Sequence, residues 1–278
     1  MHFQDSSYEV FKFNSFFSKA ICPKIFKDNK NKFLFFAGEK NDRFTKIFKI
    51  NLSNKKEVDP KICFDIQNKF QRVLSPDIIK NNEKFYMFFE GKINNKTGIF
   101  LASSKNLENW DISEKPLIFD NDQPIDYGAP KCISHPESDE YFLYYYKKYK
   151  SKKNIYLCIL DKNFEILEKF EKPVIFSESN LEEQAVYSPD VHIKENKWMM
   201  IYAAWGQKPL KGLIMKAESK DGINWTNKKK ILEPSIFEDI KHCSEPCLVK
   251  ENNVLNLYYE GCDIFNKWKI IRRTSSLK

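Results

Sequence analysis

The stretch Tyr187–Trp205, YSPDVHIKENKWMMIYAAW, decides how this chain reads, because the chain carries five versions of it. Each has a Pro, a short β-prone run, a polar turn (here Lys194-Glu195-Asn196-Lys197) and then a dense aromatic and aliphatic run. The others are CPKIFKDNKNKFLFFAG from Cys22, SPDIIKNNEKFYMFFEG from Ser75, APKCISHPESDEYFLYYY from Ala129 and EPCLVKENNVLNLYYEG from Glu245. Pro23, Pro76, Pro130, Pro189 and Pro246 lie 53, 54, 59 and 57 residues apart. A fixed period of that size signals repeated supersecondary units. Since each unit opens with a hairpin pattern, a ring of small sheets fits better than a helical stack.

Working outward, the second run of each unit is apolar on both faces, as in Phe85–Phe89 and Trp198–Tyr202. Strands sandwiched between neighbouring sheets read this way, whereas a half-exposed strand alternates. The spacing predicts first strands opening at the prolines: Ile21–Phe26, Asp77–Lys80, Lys131–Ser134, Asp190–Lys194 and Cys247–Lys250. Fourth strands are expected at Ile62–Ile66, Pro116–Phe119, Ile166–Phe170 and Lys230–Leu232. The last unit ends one strand short, and the alternating Tyr8–Phe13 is the strand to fill it. Closing a ring with both termini removes the open edge that an all-β fold otherwise exposes. The expected architecture is an all-β, five-bladed β-propeller, one domain over residues 1–278 with almost no helix.

Bulk properties exclude several functions. With 42% hydrophobic residues, 24 Phe and 13 Tyr, the chain has ample core material. The net charge of +8 rests on scattered lysines, with arginine only at 43, 72, 272 and 273. Nucleic-acid binding is not expected, because clustered cations, and Arg above all, are its signature. No apolar run is long enough to cross a bilayer, and the N-terminus lacks the pattern of a secretory leader, so a cytoplasmic protein is expected. Seven cysteines form no CxxC pair, which argues for free thiols and against zinc. Cys22, Cys132 and Cys247 flank repeat prolines and should pack near the ring axis. No cofactor or metal is implied.

A second repeat lies inside the units. Ala102-Ser-Ser-Lys-Asn-Leu-Glu-Asn-Trp110 matches Ala217-Glu-Ser-Lys-Asp-Gly-Ile-Asn-Trp225 at Ala, Ser, Lys, Asn and Trp. Ser and Asn/Asp side chains cap backbone donors in such a turn while Trp fills a gap between sheets. This turn, the period and the Pro-led inner strands resemble the five-bladed β-propeller glycosidases: glycoside hydrolase families 43, 32, 62 and 68 and the family 130 phosphorylases. The resemblance covers residues 20–275 as architecture. It implies an axial active site built from acids on the first strands of different blades, near the prolines.

At those positions the chain offers Glu245 before Pro246, Asp77 and Asp190 after Pro76 and Pro189, and Asp126 four residues before Pro130. Blade 1 has Cys22-Pro23-Lys24 and no acid, a departure from the resembled hydrolases, which place an Asp before that Pro. Glycosidic cleavage needs an acid to protonate the leaving oxygen and a second carboxylate opposite it. Glu245 is the expected general acid, and Asp190 or Asp77 the base or modulator; an Asp after Ser-Pro also caps turns. Arg72, Tyr127, Lys131, Tyr187 and His242 are the expected substrate contacts along with Asp126, and Lys131, Arg72 and His242 could hold phosphate or an anionic sugar. His192 is expected to be a packed core histidine, and Glu90 and Glu260 to be solvated acids at the far rim. The expected function is cleavage of a glycosidic bond in a carbohydrate substrate. A non-catalytic glycan- or protein-binding propeller, and a phosphorylase or transferase using the same pocket, remain open.

Overall fold

The computed structural model describes residues 1–276 apart from 2, 30, 43, 55–58, 67–68 and 207–210. The described chain is all-β, with short 3-10 segments at Lys12–Phe16 and Phe237–Asp239 and no α-helix. The prolines do not open their strands, as the spacing alone suggests. Each sits inside a ten-residue strand: Lys19–Asp28, Arg72–Asn81, Ile125–Ser134, Ala185–Lys194 and His242–Glu251. These inner strands pair along their length with one partner only, so a Pro without an N–H is tolerated on the free edge.

Each inner strand turns back into a strongly apolar second strand: Asn31–Glu39, Lys84–Ile93, Tyr141–Tyr149, Lys197–Trp205 and Val254–Cys262. Two-residue turns make the reversals at 82–83, 195–196 and 252–253, with left-handed backbone at Asn82, Glu195, Asn196 and Asn252. Third strands follow at Thr45–Asn51, Lys96–Ser104, Lys152–Leu160, Gly212–Ser219 and Trp268–Ser276. Outer strands are short. Lys61–Ile62 and Ile166–Lys169 overlap the expected positions, Trp225–Leu232 is longer than expected, and Asp111–Ile112 replaces Pro116–Phe119, where Ile118 makes only a bridge to Ile99.

The N-terminal strand Ser7–Val10 pairs antiparallel with Trp268–Ser276, supplying the strand the C-terminal set lacks. Apolar clusters fill the gaps between consecutive sets. Phe35 and Ile47 meet Phe89 and Phe100, Phe88 meets Leu143, Tyr144 meets Met200, and Ile201 meets Leu257. A further cluster joins Ile270 of the last set to Leu34 and Phe36 of the first. The last set therefore packs on the first, and the inner strands all face one axis.

Both Ser-x-Asn/Asp turns form as read. Ser104 Oγ accepts the N–H of Asn106 and Leu107, while Asn106 accepts those of Glu108 and Asn109. Ser219 and Asp221 repeat the pattern toward Asp221, Gly222, Ile223 and Asn224. The left-handed position is Leu107 in one copy and Gly222 in the other. All seven cysteines are buried free thiols. No described helix is long and apolar enough to cross a membrane.

Candidate functional site

All five inner strands break register at the same place, between Ile21 and Lys24, Leu74 and Asp77, Gly128 and Lys131, Tyr187 and Asp190, and Ser244 and Cys247. The residue before each Pro is left-handed: Cys22 (φ 55°), Ser75 (47°), Ala129 (47°), Ser188 (52°) and Glu245 (52°). None is glycine, so each position costs on the order of 1–2 kcal/mol. A bulge of this kind re-aims side chains. Here it turns the pre-Pro residues toward a common, narrow cavity that they line together with the prolines and Lys24.

Just above the bulge, each inner strand pairs one residue with the second strand: Ile21 with Ala37, Leu74 with Glu90, Gly128 with Tyr146, Tyr187 with Ala203 and Ser244 with Glu260. That rung carries Glu90 and Glu260. They are not solvated rim acids: their exposures are 3% and 6%. The second strands run on past Glu90-Gly91 and Glu260-Gly261, so these acids lie within the sheets. Glu260 accepts hydrogen bonds from Ser244 Oγ (2.7 Å) and the Cys22 N–H (3.1 Å). Glu90 accepts from Tyr146 OH (3.0 Å) and Arg72 Nη2 (3.2 Å).

Glu245 faces the cavity and accepts a hydrogen bond from Ser188 Oγ. It retains some accessible surface on that side, yet protein surrounds it otherwise. Burial, then the nearby Glu260 and, more weakly, Glu90 push its carboxyl up to about 8, against the opposing pull of Ser188 and Lys153. Burial also raises Glu260, but its two donors favour the charged form. Glu245 is thus the better holder of a proton at neutral pH.

The residues after the prolines form a separate rung of Lys24, Asp77, Lys131, Asp190 and Cys247. Lys24 Nζ lies 2.6 Å from Asp190 and 3.1 Å from Asp77, and Lys131 Nζ lies 3.5 and 3.4 Å from the same oxygens. Asp77 also accepts the Cys132 N–H and Asp190 the Leu248 N–H, both at 2.8 Å. Each Asp thereby ties its strand to the next set. Burial alone would raise the Asp190 carboxyl, but Lys24, His192 and Lys131 together hold it well below the usual range. His192 is not a packed core residue: its side chain is 36% exposed and its Nε2 lies 2.8 Å from Asp190. Its alternating position on the strand carries it past the apolar face.

Toward the mouth, Trp205, His242 and Trp268 stack in sequence, with centroids 4.3 and 6.0 Å apart. His242 Nδ1 accepts the Gly212 N–H, and burial, followed by Lys241, lowers its pKa. Trp205 donates to Tyr187 OH at 2.8 Å. Lys153 Nζ sits over the rings of Tyr146 and Tyr187 at 4.3 and 4.7 Å. Tyr127 instead packs on Tyr145 between sets, and Asp126 accepts from Thr97 N and Oγ1. Of the expected site residues, Glu245 lines the cavity, Arg72 reaches Glu90, and Tyr187 and His242 both contact Trp205. Asp77, Asp190 and Lys131 lie one rung deeper, and Asp126 and Tyr127 are engaged elsewhere. The sequence reading singled out Glu90 and Glu260 by the Glu-Gly that follows an aromatic run but put them at a rim, and Lys153 escaped it.

Searches for a matching protein-family model and for a matching curated protein found none. Among solved structures, a thermostable family-43 glycoside hydrolase is similar over 99% of this chain and 92% of its own, with TM-score 0.73 and 16% identity. An exo-1,5-α-L-arabinanase from a bovine ruminal metagenomic library matches over 98% and 95%, with TM-score 0.71 and 12% identity. A structure from the family 130 of mannoside phosphorylases, which contains hydrolases targeting β-1,2 mannosidic linkages in Candida mannan, matches over 93% and 84%, with TM-score 0.71 and 12% identity. The chain has the fold of the β-propeller glycosidases. At these identities the likeness establishes fold and leaves activity to the site.

Proposed function

We propose that residues 1–278 form one five-bladed β-propeller, each Pro-led set being a blade, and that it cleaves a glycosidic bond at the mouth of the axial cavity. The observation that carries this reading is a buried, proton-retaining Glu245 beside Glu260, with the Arg72-bound Glu90 contributed from a non-adjacent set. Such a division of protonation states between carboxyls is what acid–base cleavage requires. Glu245 donates its proton to the glycosidic oxygen as the bond to the anomeric carbon breaks. Glu90, oriented by Arg72 and Tyr146, takes the proton of the water that attacks that carbon. The nearby charge of Glu260 keeps a proton on Glu245.

Asp77 and Asp190, the acids first expected to serve as base or modulator, then act by holding the inner strands in register, because both are saturated by lysines and backbone donors. The base thus moves from a first strand to a second strand, and Cys22 in blade 1 need not be an acid. The cavity between the prolines has room for little more than a water, so the sugar binds at its mouth, with the Trp205–His242–Trp268 stack as the wall for its apolar face.

A panel of aryl glycosides, with and without phosphate, tests the reading. Glu245→Gln and Glu90→Gln should each lower kcat by about 10²–10⁴ while sugar binding persists. Unchanged turnover in both variants overturns catalysis at these residues. Sugar binding without turnover by the wild type favours the binding-only alternative, for which the acid-free Cys22-Pro23-Lys24 corner is the supporting observation.

A further inference from the structure

Cations gather beside Glu245, Glu260 and Glu90, most of them outside any ion pair. Arg72 and Lys92 are register partners on one set. Lys148 and Lys153 are partners on the adjacent set, and Lys19 lies over Trp268. Among the described residues, Arg72 is the only member of this group with a carboxylate partner, Glu90. The one acid in the same rung of the inner strands, Asp126, is occupied by Thr97. Lys153 is held instead by the faces of Tyr146 and Tyr187, which fix its ammonium group without neutralising it. The Arg72 side chain is 42% exposed, and Glu90 engages only its Nη2. A guanidinium with donors left over on its exposed side suits an oxyanion.

Resting on the glycosidic reading above, we propose that this site takes an oxyanion bound between Arg72 and Lys153, carried by the sugar as a carboxylate, sulfate or phosphate, or supplied as free phosphate. Tyr146 lies between the two cations, since it donates to Glu90 and underlies Lys153. The anion would therefore sit beside the carboxylate cluster and not on the outer surface. The exposed part of the Arg72 guanidinium and the Lys153 ammonium are the donors; Glu90 keeps its own bond to Nη2. Lys92, Lys148 and Lys19 add long-range attraction that salt should weaken.

Binding separates this proposal from the catalytic one. Full-length Glu245→Gln protein is titrated calorimetrically with matched pairs, methyl glucuronide against methyl glucoside and methyl galacturonide against methyl galactoside. Inorganic phosphate is titrated alone and in competition. The expected result is at least a tenfold preference for one uronide, with the ratio falling toward one in Lys153→Met, largely recovering in Lys153→Arg, and shrinking with added salt. Phosphate binding that strengthens a neutral glycoside, and that Lys153→Met abolishes, assigns the same donors to a free anion. Equal affinity for charged and neutral glycosides, with no phosphate binding, overturns the oxyanion site and leaves the glycosidic reading standing. No binding of any sugar overturns both.

Discussion

Gly128 and Glu90 occupy the same space: a Cβ placed on Gly128 would fall 1.9 Å from Glu90 Oε2. The glycine needs no left-handed backbone; its role is to leave room for a carboxylate from the neighbouring set. Tyr146 OH, 2.7 Å from the same point, closes the other side. Gly128→Ala should push the Glu90 carboxylate off its Arg72 and Tyr146 donors. Since the end of a flexible side chain can yield, the fold should survive, with a loss of stability of about 1–3 kcal/mol. Turnover should fall by about 10²-fold, because a displacement of about 1 Å in a reacting group has that effect. Steady-state kinetics and a denaturant midpoint on the same sample check the split.

Glu245 should leave two marks on pH dependence. A carboxyl raised to about 8 binds its proton more tightly folded than unfolded. Between the ordinary Glu value of about 4.5 and pH 8 the folded state therefore holds more protons, and stability falls as pH rises through that window. Glu245→Gln should flatten this slope and gain on the order of 2–4 kcal/mol relative to wild type at pH 8. A general acid must be protonated, so wild-type kcat should fall above about pH 8. Urea denaturation at several pH values and a pH–rate profile read the two effects independently.

Lys24 is the nearer of the two lysines that the buried aspartates share. Lys24→Met keeps the length of the side chain and removes the charge, leaving Asp77 and Asp190 with only the more distant Lys131 and, for Asp190, His192. Breaking a buried ion pair on one side costs about 3–5 kcal/mol. The depressed Asp190 carboxyl contributes stability above its unfolded value of about 3.8, and this is lost as pH falls through the folded one. The variant should therefore be weakened most at neutral pH and converge on wild type in acid. Denaturant midpoints at pH 7 and pH 3 test it; equal deficits at both would count against the clamp.

Periodicity revealed more of this molecule than local chemistry did. The repeat of hairpins about the prolines, the two-faced apolar second strands and the spare strand near Tyr8 read correctly, because sheet packing repeats the same apolar demand at each set. The Ser104 and Ser219 turns were legible for the same reason: side-chain oxygens two and three residues from their donors are a local code. What stayed hidden depends on register. A reading that starts each inner strand at its Pro leaves the bulge out, and without the bulge Glu90 and Glu260 fall at a rim. Once Leu74 pairs with Glu90 and Ser244 with Glu260, both acids point inward. Likewise, an Asp after Ser-Pro is compatible with a cap or a catalyst, and only the approach of Lys24 from another set distinguishes them.

Arg273 makes the ring depend on the N-terminus. It is 1% exposed and donates to the carbonyls of Phe3 (3.1 Å) and Gln4 (2.7 Å), to Tyr259 OH (3.0 Å) and to Asp239 (3.2 Å). Phe3, fully buried, plugs the core between the last two sets beside Ile231 and Leu257. Deleting residues 1–10 would remove the Ser7–Val10 strand, expose the edge of Trp268–Ser276 and leave a buried guanidinium short of two acceptors. The truncated chain should lose cooperativity and self-associate through that open edge. Arg273→Met, which leaves the edge covered but strands Asp239, should cost about 3–5 kcal/mol and stay monomeric. Light scattering together with urea unfolding separates the two. If the truncated chain unfolds at the wild-type midpoint as a monomer, the N-terminal strand is not what closes the ring.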